Sequence, residues 1–471
     1  MLKEVLMADA KTGVARWNEE NGGNARRSSD DNRKRIISLV ILAILTVAFV
    51  VCFSPLPTTV TRGLYFKGGE EASFDVTAED GKEASSDDIA NSVPVIKRRL
   101  NDMGIVEFLV STDASHINIA VPERYDVKEV APIAAGQGLI EFCELDEIGD
   151  ADALELIQSG ASNVEIAPGT YTPFVDSSHI ARIEAGERGV GNAYLAFEFD
   201  DEGAKTLEEV TERLAEDSGS VAVIASGHVI TMASVPEKMT GGQVSVPISA
   251  GLLAAKGAKA CFDSGTIPVR TTLAGSSHVG AKFGDHISLI VLCVCAAAIL
   301  AVSIACFMRY RKLAILVLGT GVIYALWVLG MAGIASRAEM YLLTIPAACA
   351  GVLAGAASLA AAWMAVRYFV NHVNEGGTFK GGAIAAGRVG LRPMLWPTLA
   401  ALTICVVFIF IPMALLSQFG MTGVFGVVAG LAGVVWFGLT TLRIIAAGPA
   451  QKDPASWGIK RSVEAKGESA A

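Results

Sequence analysis

Six long apolar runs punctuate the chain, each close to the roughly 20 residues a helix needs to cross a bilayer. They are Ile36 to Phe53, Ile287 to Met308, Leu313 to Ala335, Tyr341 to Val366, Leu395 to Leu416 and Met421 to Leu442. The first stands alone and the other five follow one another. No small-x-small cleavage site follows the first run; Ser54-Pro55-Leu56-Pro57 does, so it reads as an uncleaved anchor. The spacing therefore predicts a polytopic α-helical membrane protein with six transmembrane helices, and a large domain inserted between helices 1 and 2.

Between the first and second runs the period changes. "ASFDVTA" (72–78) and "SHINIAV" (115–121) alternate apolar and polar, as half-buried strands do. Ile89, Val93, Ile96, Leu100 and Met103 step by four and three, which is one face of a helix. Ser85 or Ser86 would cap it and Gly104 would stop it, with Pro94 free to shorten or kink it. A second set follows: a strand at 194–200, a helix at about 201–216, strands at 220–226 and 228–234, and a helix at about 251–263 ending at Gly265. This is an α+β domain in two parts. The stretch 144–191 fits neither period and reads as an insertion.

Composition sharpens the membrane reading. Of 471 residues 52% are apolar and 18% charged, with a mean hydropathy of +0.46. That excludes a disordered chain and argues against an ordinary soluble enzyme. Residues 54–285 carry 37 acidic against 17 basic side chains, while the rest carries 11 against 21. An acidic block in a basic, apolar frame is no nucleic-acid surface. Lys and Arg orient the spans. Arg26, Arg27, Arg33, Lys34 and Arg35 precede the first, and Arg309, Arg311 and Lys312 separate the second from the third. Arg367, Lys380, Arg388 and Arg392 lie between the fourth and fifth, and Arg443, Lys452, Lys460 and Arg461 follow the sixth. The two opposite loops hold Arg337 alone. Both termini are expected in the cytoplasm and the acidic domain outside. Residues 1–34 and 446–471 read as loose cytoplasmic tails.

Candidate chemistry is sparse. Six of eight cysteines lie in the apolar runs; Cys143 and Cys261 alone fall in the acidic block, which allows at most one disulfide there. No paired Cys/His spacing suits a metal. Ser226-Gly227-His228 lacks the nucleophile-elbow spacing, and "FKGG" (66–69) lacks the lysine and helix of a phosphate loop. No enzyme, cofactor or metal is expected. Gly351 with Gly355, and Gly426 with Gly430, form two GxxxG pairs suited to close helix packing, in the bundle itself or against a partner.

Several segments together resemble one family. "RGLYFKGG" (62–69) resembles the "LGLDLxGG" opening of the SecD subunit of the bacterial Sec protein-export machinery. The positions that carry it are Leu64, Lys67, Gly68 and Gly69, with Tyr65 at the aspartate. "VIKRRLNDMGI" (95–105) is similar to a second motif through Arg99, Asn101 and Gly104. Segments 194–211, 221–242 and 250–269 follow in the same order and hold Gly241, Gly242, Gly265 and Pro268. "MRYRKLAIL" (308–316) and "TIPAACAGVLAG" (344–355) look like its membrane segments. The resemblance places the chain in the resistance-nodulation-division superfamily. It implies an outer domain with a base (about 60–142 and 192–275) and an inserted head (about 143–191). It also implies a place in the cytoplasmic membrane, binding of unfolded preprotein, and two partners, a SecF-like subunit and the SecYEG translocon.

One departure bears on mechanism. The family's intramembrane "VDAN" aspartate and asparagine align with Ala360 and Ala362, and a further aspartate with Pro397. Spans two to six hold no Asp, Glu, Lys, Arg or His in their interiors. Proton relays are built from such groups, so proton coupling is expected from the partner. A scaffold that has lost transport, and a half-transporter for lipid or a small solute, are the two other function classes.

Overall fold

The computed structural model describes residues 31–460 apart from 53, 55–58, 79–80, 114, 162–163, 167–168, 190, 218, 285 and 412. Two compact units result, an α+β domain over Arg62–Ile287 and a unit of long apolar helices. Helix α1 (Asp31–Cys52) belongs to the second.

The α+β domain begins with a one-turn helix α2 (Leu64–Lys67), then β1 (Gly68–Ala78), α3 (Ser86–Asp102), β2 (Leu109–Thr112), β3 (His116–Pro122) and α4 (Val127–Ala135). Next come β4 (Ile140–Glu144), α5 (Ala151–Gln158), β5 (Val164–Glu165), β6 (Ile180–Glu187) and β7 (Ala193–Phe199). They are followed by α6 (Asp201–Asp217), β8 (Ser220–Ala225), β9 (His228–Ser234), β10 (Gln243–Pro247), α7 (Gly251–Ser264) and β11 (Val269–Gly280).

The first and last strands close on each other in a sheet of order β11-β1-β3-β2. β1 runs antiparallel to both neighbours, with Phe74 opposite Leu273 on one side and Ile117 on the other. Its inward residues Ala72, Phe74 and Val76 pack with Ile117, Ile119 and Val121 against Ile89, Ile96 and Leu100 of α3. The predicted stripe is thus the buried face. Ser85 caps α3 by accepting from the Asp88 N–H. Pro94 does not break the helix, because only its own N–H is missing and its fixed φ suits the α region. Gly104 ends it at φ +86°: its N–H reaches the Asn101 carbonyl and the Ile105 N–H that of Leu100. That pair of bonds is a Schellman stop.

Residues 140–247 form two further sheets, β4-β8-β9-β5 and β10-β7-β6. The head expected from sequence, about 143–191, shares these sheets with strands expected in the base. Strands β4 and β5 flank β8 and β9 in one sheet, and β6 pairs with β7 along its length. Strands expected in the head and in the second half of the base thus pair in the same two sheets. Backbone pairing between distant segments leaves no periodic trace.

In the helical unit, five stretches among the described residues are long and apolar enough to cross a membrane: 31–52, 287–337, 345–374, 379–410 and 414–447. The second is 51 residues long and is split into α8 (Ile287–Tyr310) and α9 (Ala314–Arg337) by a 3-10 turn, with Arg311 at φ +50°. α10 covers Ile345–Asn374; α11 (Phe379–Ala385) leads through a π-helical turn into α12 (Arg392–Phe410). α13 (Ala414–Leu431) continues through a π segment, Ala432–Leu439, into α14 (Thr440–Ala447), and α15 (Pro449–Lys452) follows.

Three helix limits differ from those of the apolar runs. The fourth begins at Ile345 rather than Tyr341, since Thr344 caps it by accepting from the Ala347 N–H. The fifth ends at Phe410 rather than Leu416, as the sequence asks with Pro412 two residues on. The sixth starts at Ala414 rather than Met421. Nor is the C-terminal tail loose throughout. Ala450 and Ile459 are buried, and the Lys460 N–H donates to Asn374 at 3.0 Å. The N-terminal tail, apart from its last four residues, lies outside the described residues.

Candidate functional site

The motif residues of the α+β domain cluster in two places. At the first, the chain turns from α2 into β1. Leu64 and Phe66 are buried, Tyr65 stacks on Phe283 at 5.8 Å, and Lys282 sits 5.4 Å above the Tyr65 ring. Lys67 pairs with Glu123. Gly68 has φ +85°, and a side chain there would lie 2.2 Å from the Val279 carbonyl oxygen. At Gly69 a Cβ would meet the Val121 oxygen at 1.9 Å. The two glycines are what let the turn enter a central strand with backbone on both sides.

The second cluster is built around Arg99, the largest fully buried side chain of the described residues. Its guanidinium lies between the C-terminal ends of α4 and α7. It donates to the carbonyls of Ala134 (3.0 Å), Gly136 (2.5 Å), Gln137 (3.3 Å) and Gly265 (2.6 Å), and Nε donates to Ser264 Oγ at 2.8 Å. Helix C-termini present unsatisfied carbonyls and partial negative charge, so a cation suits them. Burial pulls the Arg99 pKa below its ordinary value. Gly138 leaves the room it needs, since a Cβ there would sit 2.2 Å from the guanidinium. Arg99 and Gly265 thus meet in one structural tie.

The remaining motif residues do not join them. Asn101 is exposed, and Gly241 and Gly242, at φ +88° and +65°, shape the turn before β10. Pro268 is an exposed residue just ahead of β11. Ser226 and His228 do not form a nucleophile–base pair in this arrangement. Ser226 Oγ accepts from the Gly138 N–H at 2.9 Å, while His228 Nδ1 faces the Ser226 backbone carbonyl at 3.2 Å. Cys143 and Cys261 are buried, unpaired thiols.

In the helical unit the relay positions are apolar, and they face different ways. Ala360 lies on the exposed side of α10, whereas Ala362 is 4% exposed. Pro397 stands inside α12. The glycine pairs pack within this chain: Gly355 abuts the Tyr324 ring, Gly426 the Ala354 methyl, and Gly430 the Ser358 hydroxyl. Sequence reasoning missed Gln418. Its Oε1 accepts from the Leu342 N–H at 3.0 Å, and Tyr341 bonds Thr422 at 2.9 Å. They hold the non-helical segment before α10, whose backbone needs partners in an apolar setting. The available signal was a glutamine in the short break between the fifth and sixth apolar runs.

A family model, that of the SecDF P1 head subdomain, matches residues 157–269, from the end of α5 to the start of β11. The protein translocase subunit SecD of Acidaminococcus fermentans is 23% identical over 256 residues, covering 54% of this chain and 55% of that protein. SecDF of Thermus thermophilus is 23% identical over 276 residues, 54% of this chain and 36% of its own. A crystal structure of SecDF in a super-membrane-facing form superposes with a TM-score of 0.61 at 20% identity, covering 88% of this chain.

The chain is similar to SecD and SecDF proteins, at low identity. Its alignments span about half the length of the curated SecD relatives it matches, and 36% of the SecDF relative. In this SecD-like chain the matched head range takes in β5 to β10 with α6 and α7, and so overlaps the expected head of 143–191 only in part.

Proposed function

We propose that the chain is an accessory subunit of protein translocation, with six spans in the cytoplasmic membrane and both termini in the cytoplasm. The α+β domain lies outside and binds unfolded preprotein as it emerges from the SecYEG translocon. A SecF-like subunit completes the assembly and supplies the proton coupling. The observation that carries this reading is the pairing of a SecDF-type head, matched over 157–269, with apolar helices whose relay positions are Ala360, Ala362 and Pro397. The Lys/Arg distribution supports the orientation. Tight glycine packing in α10 and α13 speaks against a roomy intramembrane cavity, and so against a half-transporter for lipid or solute.

A direct test uses a secretory precursor arrested part-way through the translocon in vesicles that also hold this chain and its SecF-like partner. A photo-crosslinker attached at Ala151→Cys, an exposed position at the start of α5, should capture the emerging polypeptide. No adduct at this or neighbouring exposed sites, with export unchanged when the chain is removed, would overturn the assignment.

A further inference from the structure

From α11 through the π turn into the start of α12, one face of the chain is left open. Lys380, Ile384, Arg388, Arg392 and Trp396 recur every fourth residue, and all five are exposed. Gly382, Ala383, Ala386 and Gly390 between them are buried. Residues four apart fall on one side of a helix, so small residues face the bundle while cations and large apolar groups face outward. Val389 is exposed beside Arg388, and Trp396 is 76% exposed.

The buried face fixes how the segment lies. A Cβ on Gly382 would sit 3.1 Å from the Phe369 and Val373 side chains, and one on Gly390 would sit 3.0 Å from the Tyr368 ring. Gly387, between them, faces Leu439 at 3.3 Å. From Gly382 to Gly390 the segment is about 12 Å long, yet its contact on α10 shifts only from Val373 and Phe369 to Tyr368. It therefore runs obliquely across the last turns of α10 instead of straight back beside the apolar run. The open face is held at the end of the helix, next to the exposed Arg367.

Charge points to what covers this face. From Arg367 to Arg392 the chain holds four basic residues and one acidic, Glu375. Among the described residues Lys380, Arg388 and Arg392 form no ion pair with a carboxylate. Basic groups interleaved with apolar ones suit the boundary between headgroups and acyl chains, where amphipathic helices lie and tryptophan is an anchor. We propose that the open face of 380–396 is a docking surface for anionic phospholipid. The lipid phosphates meet Lys380, Arg388 and Arg392, while Ile384, Val389 and Trp396 enter the acyl boundary. Nucleic acid or an acidic protein would engage the cations but leave those three apolar groups in water. The inference rests on the reading of 379–410 as a segment that enters a membrane. It does not depend on which side the segment enters from; with the basic loops inside, the surface meets the anionic cytoplasmic leaflet.

Hydrogen exchange on the full chain in nanodiscs tests it, with discs of phosphatidylcholine alone set against discs that also hold phosphatidylglycerol. Each Lys or Arg near an anionic surface is worth about fivefold in affinity, so amide protection over 380–390 should rise by at least about fivefold with phosphatidylglycerol. The gain should shrink in high salt. Lys380→Gln, Arg388→Gln and Arg392→Gln together should abolish it. A matched triple at the α8–α9 turn, Arg309→Gln, Arg311→Gln and Lys312→Gln, should keep it. Equal protection in the two lipids, or a gain that survives the first triple, overturns the proposal. So does a gain lost equally in both triples, which would reduce the effect to net charge. The same gain from inorganic phosphate added to phosphatidylcholine discs would mark a phosphate site instead and also overturns it. A chain that fails to enter the discs refutes the membrane reading itself, whereas an incorporated chain indifferent to lipid charge refutes the docking surface alone.

Discussion

Replacing Arg99 tests how much of the α+β domain hangs on one side chain. The guanidinium is 0% exposed and makes five hydrogen bonds, four of them to backbone carbonyls. In Arg99→Ala the Gln137 carbonyl keeps the Ile267 N–H at 3.0 Å. The Ala134, Gly136 and Gly265 carbonyls lose their short donor. At about 1–3 kcal/mol for each of these three buried acceptors left wanting, the loss reaches ~3–9 kcal/mol. Release of the buried cation's desolvation penalty favours the lower half of that range. A whole domain is stable by only about 5–15 kcal/mol, so the variant should be severely weakened. Arg99→Lys keeps the charge but not the planar fork, and should lose about half as much. Residues 62–287 contain no tryptophan, whereas Trp327, Trp363, Trp396 and Trp436 all lie in the long helices. Tryptophan fluorescence therefore carries no signal from the α+β domain, and hydrogen exchange in α4 and α7 follows the site. The expected result is a large loss of protection in both short helices with the fluorescence transition unmoved. A change in α4 and α7 opening below about 1 kcal/mol, the worth of a single ordinary hydrogen bond, would refute the tie.

Gly69→Ala sets a Cβ 1.9 Å from the Val121 oxygen; the overlap should cost about 1–3 kcal/mol and open the β1–β3 ladder, and wild-type exchange in β3 would speak against it. Reconstituted alone, the chain should leak no more protons than empty liposomes, and flux should appear only with a SecF-like partner and vanish when that partner's intramembrane carboxylate is removed. A pH-dependent flux through the lone subunit would contradict the reading.

Helix α3 was legible because its evidence is local. Ser85, the step of apolar positions from Ile89 to Met103, and Gly104 lie within one short segment, and each plays the part its chemistry suggests. The start of α10 was not. Tyr341 to Thr344 continue an apolar run without a break, and what keeps them out of the helix includes Gln418, some 75 residues away. The extent of the inserted sheets was hidden for the same reason, since β4 finds β8 across about 80 residues. Arg99 could be named from its motif but not its role, because four carbonyls from two loops converge only in the fold.

The apolar helices also carry polar groups, and their bonds say what kind of machinery they are. Thr320 donates to the Gly433 carbonyl, Tyr324 to that of Gly351, and Ser358 to that of Ala354. Trp327 and Trp436 donate to Thr46 and Ser38 and so tie α1 to α9 and to the π segment. Every one of these is a neutral tie between or within helices, and none changes charge near neutral pH. Ala360, where the family has its aspartate, is on the exposed side of α10. A carboxyl restored there would not enter this chain's own packed interior; it would face whatever lies beside the helix, lipid or a neighbouring subunit. An aspartate in the middle of a membrane costs about 2.5–3.5 kcal/mol on insertion scales unless it finds a polar partner. Restoring the residue in this chain alone thus restores a cost and not a relay. The completing groups have to come from the surface that covers α10, which is why energy coupling, on this reading, is a property of the assembly and not of the subunit.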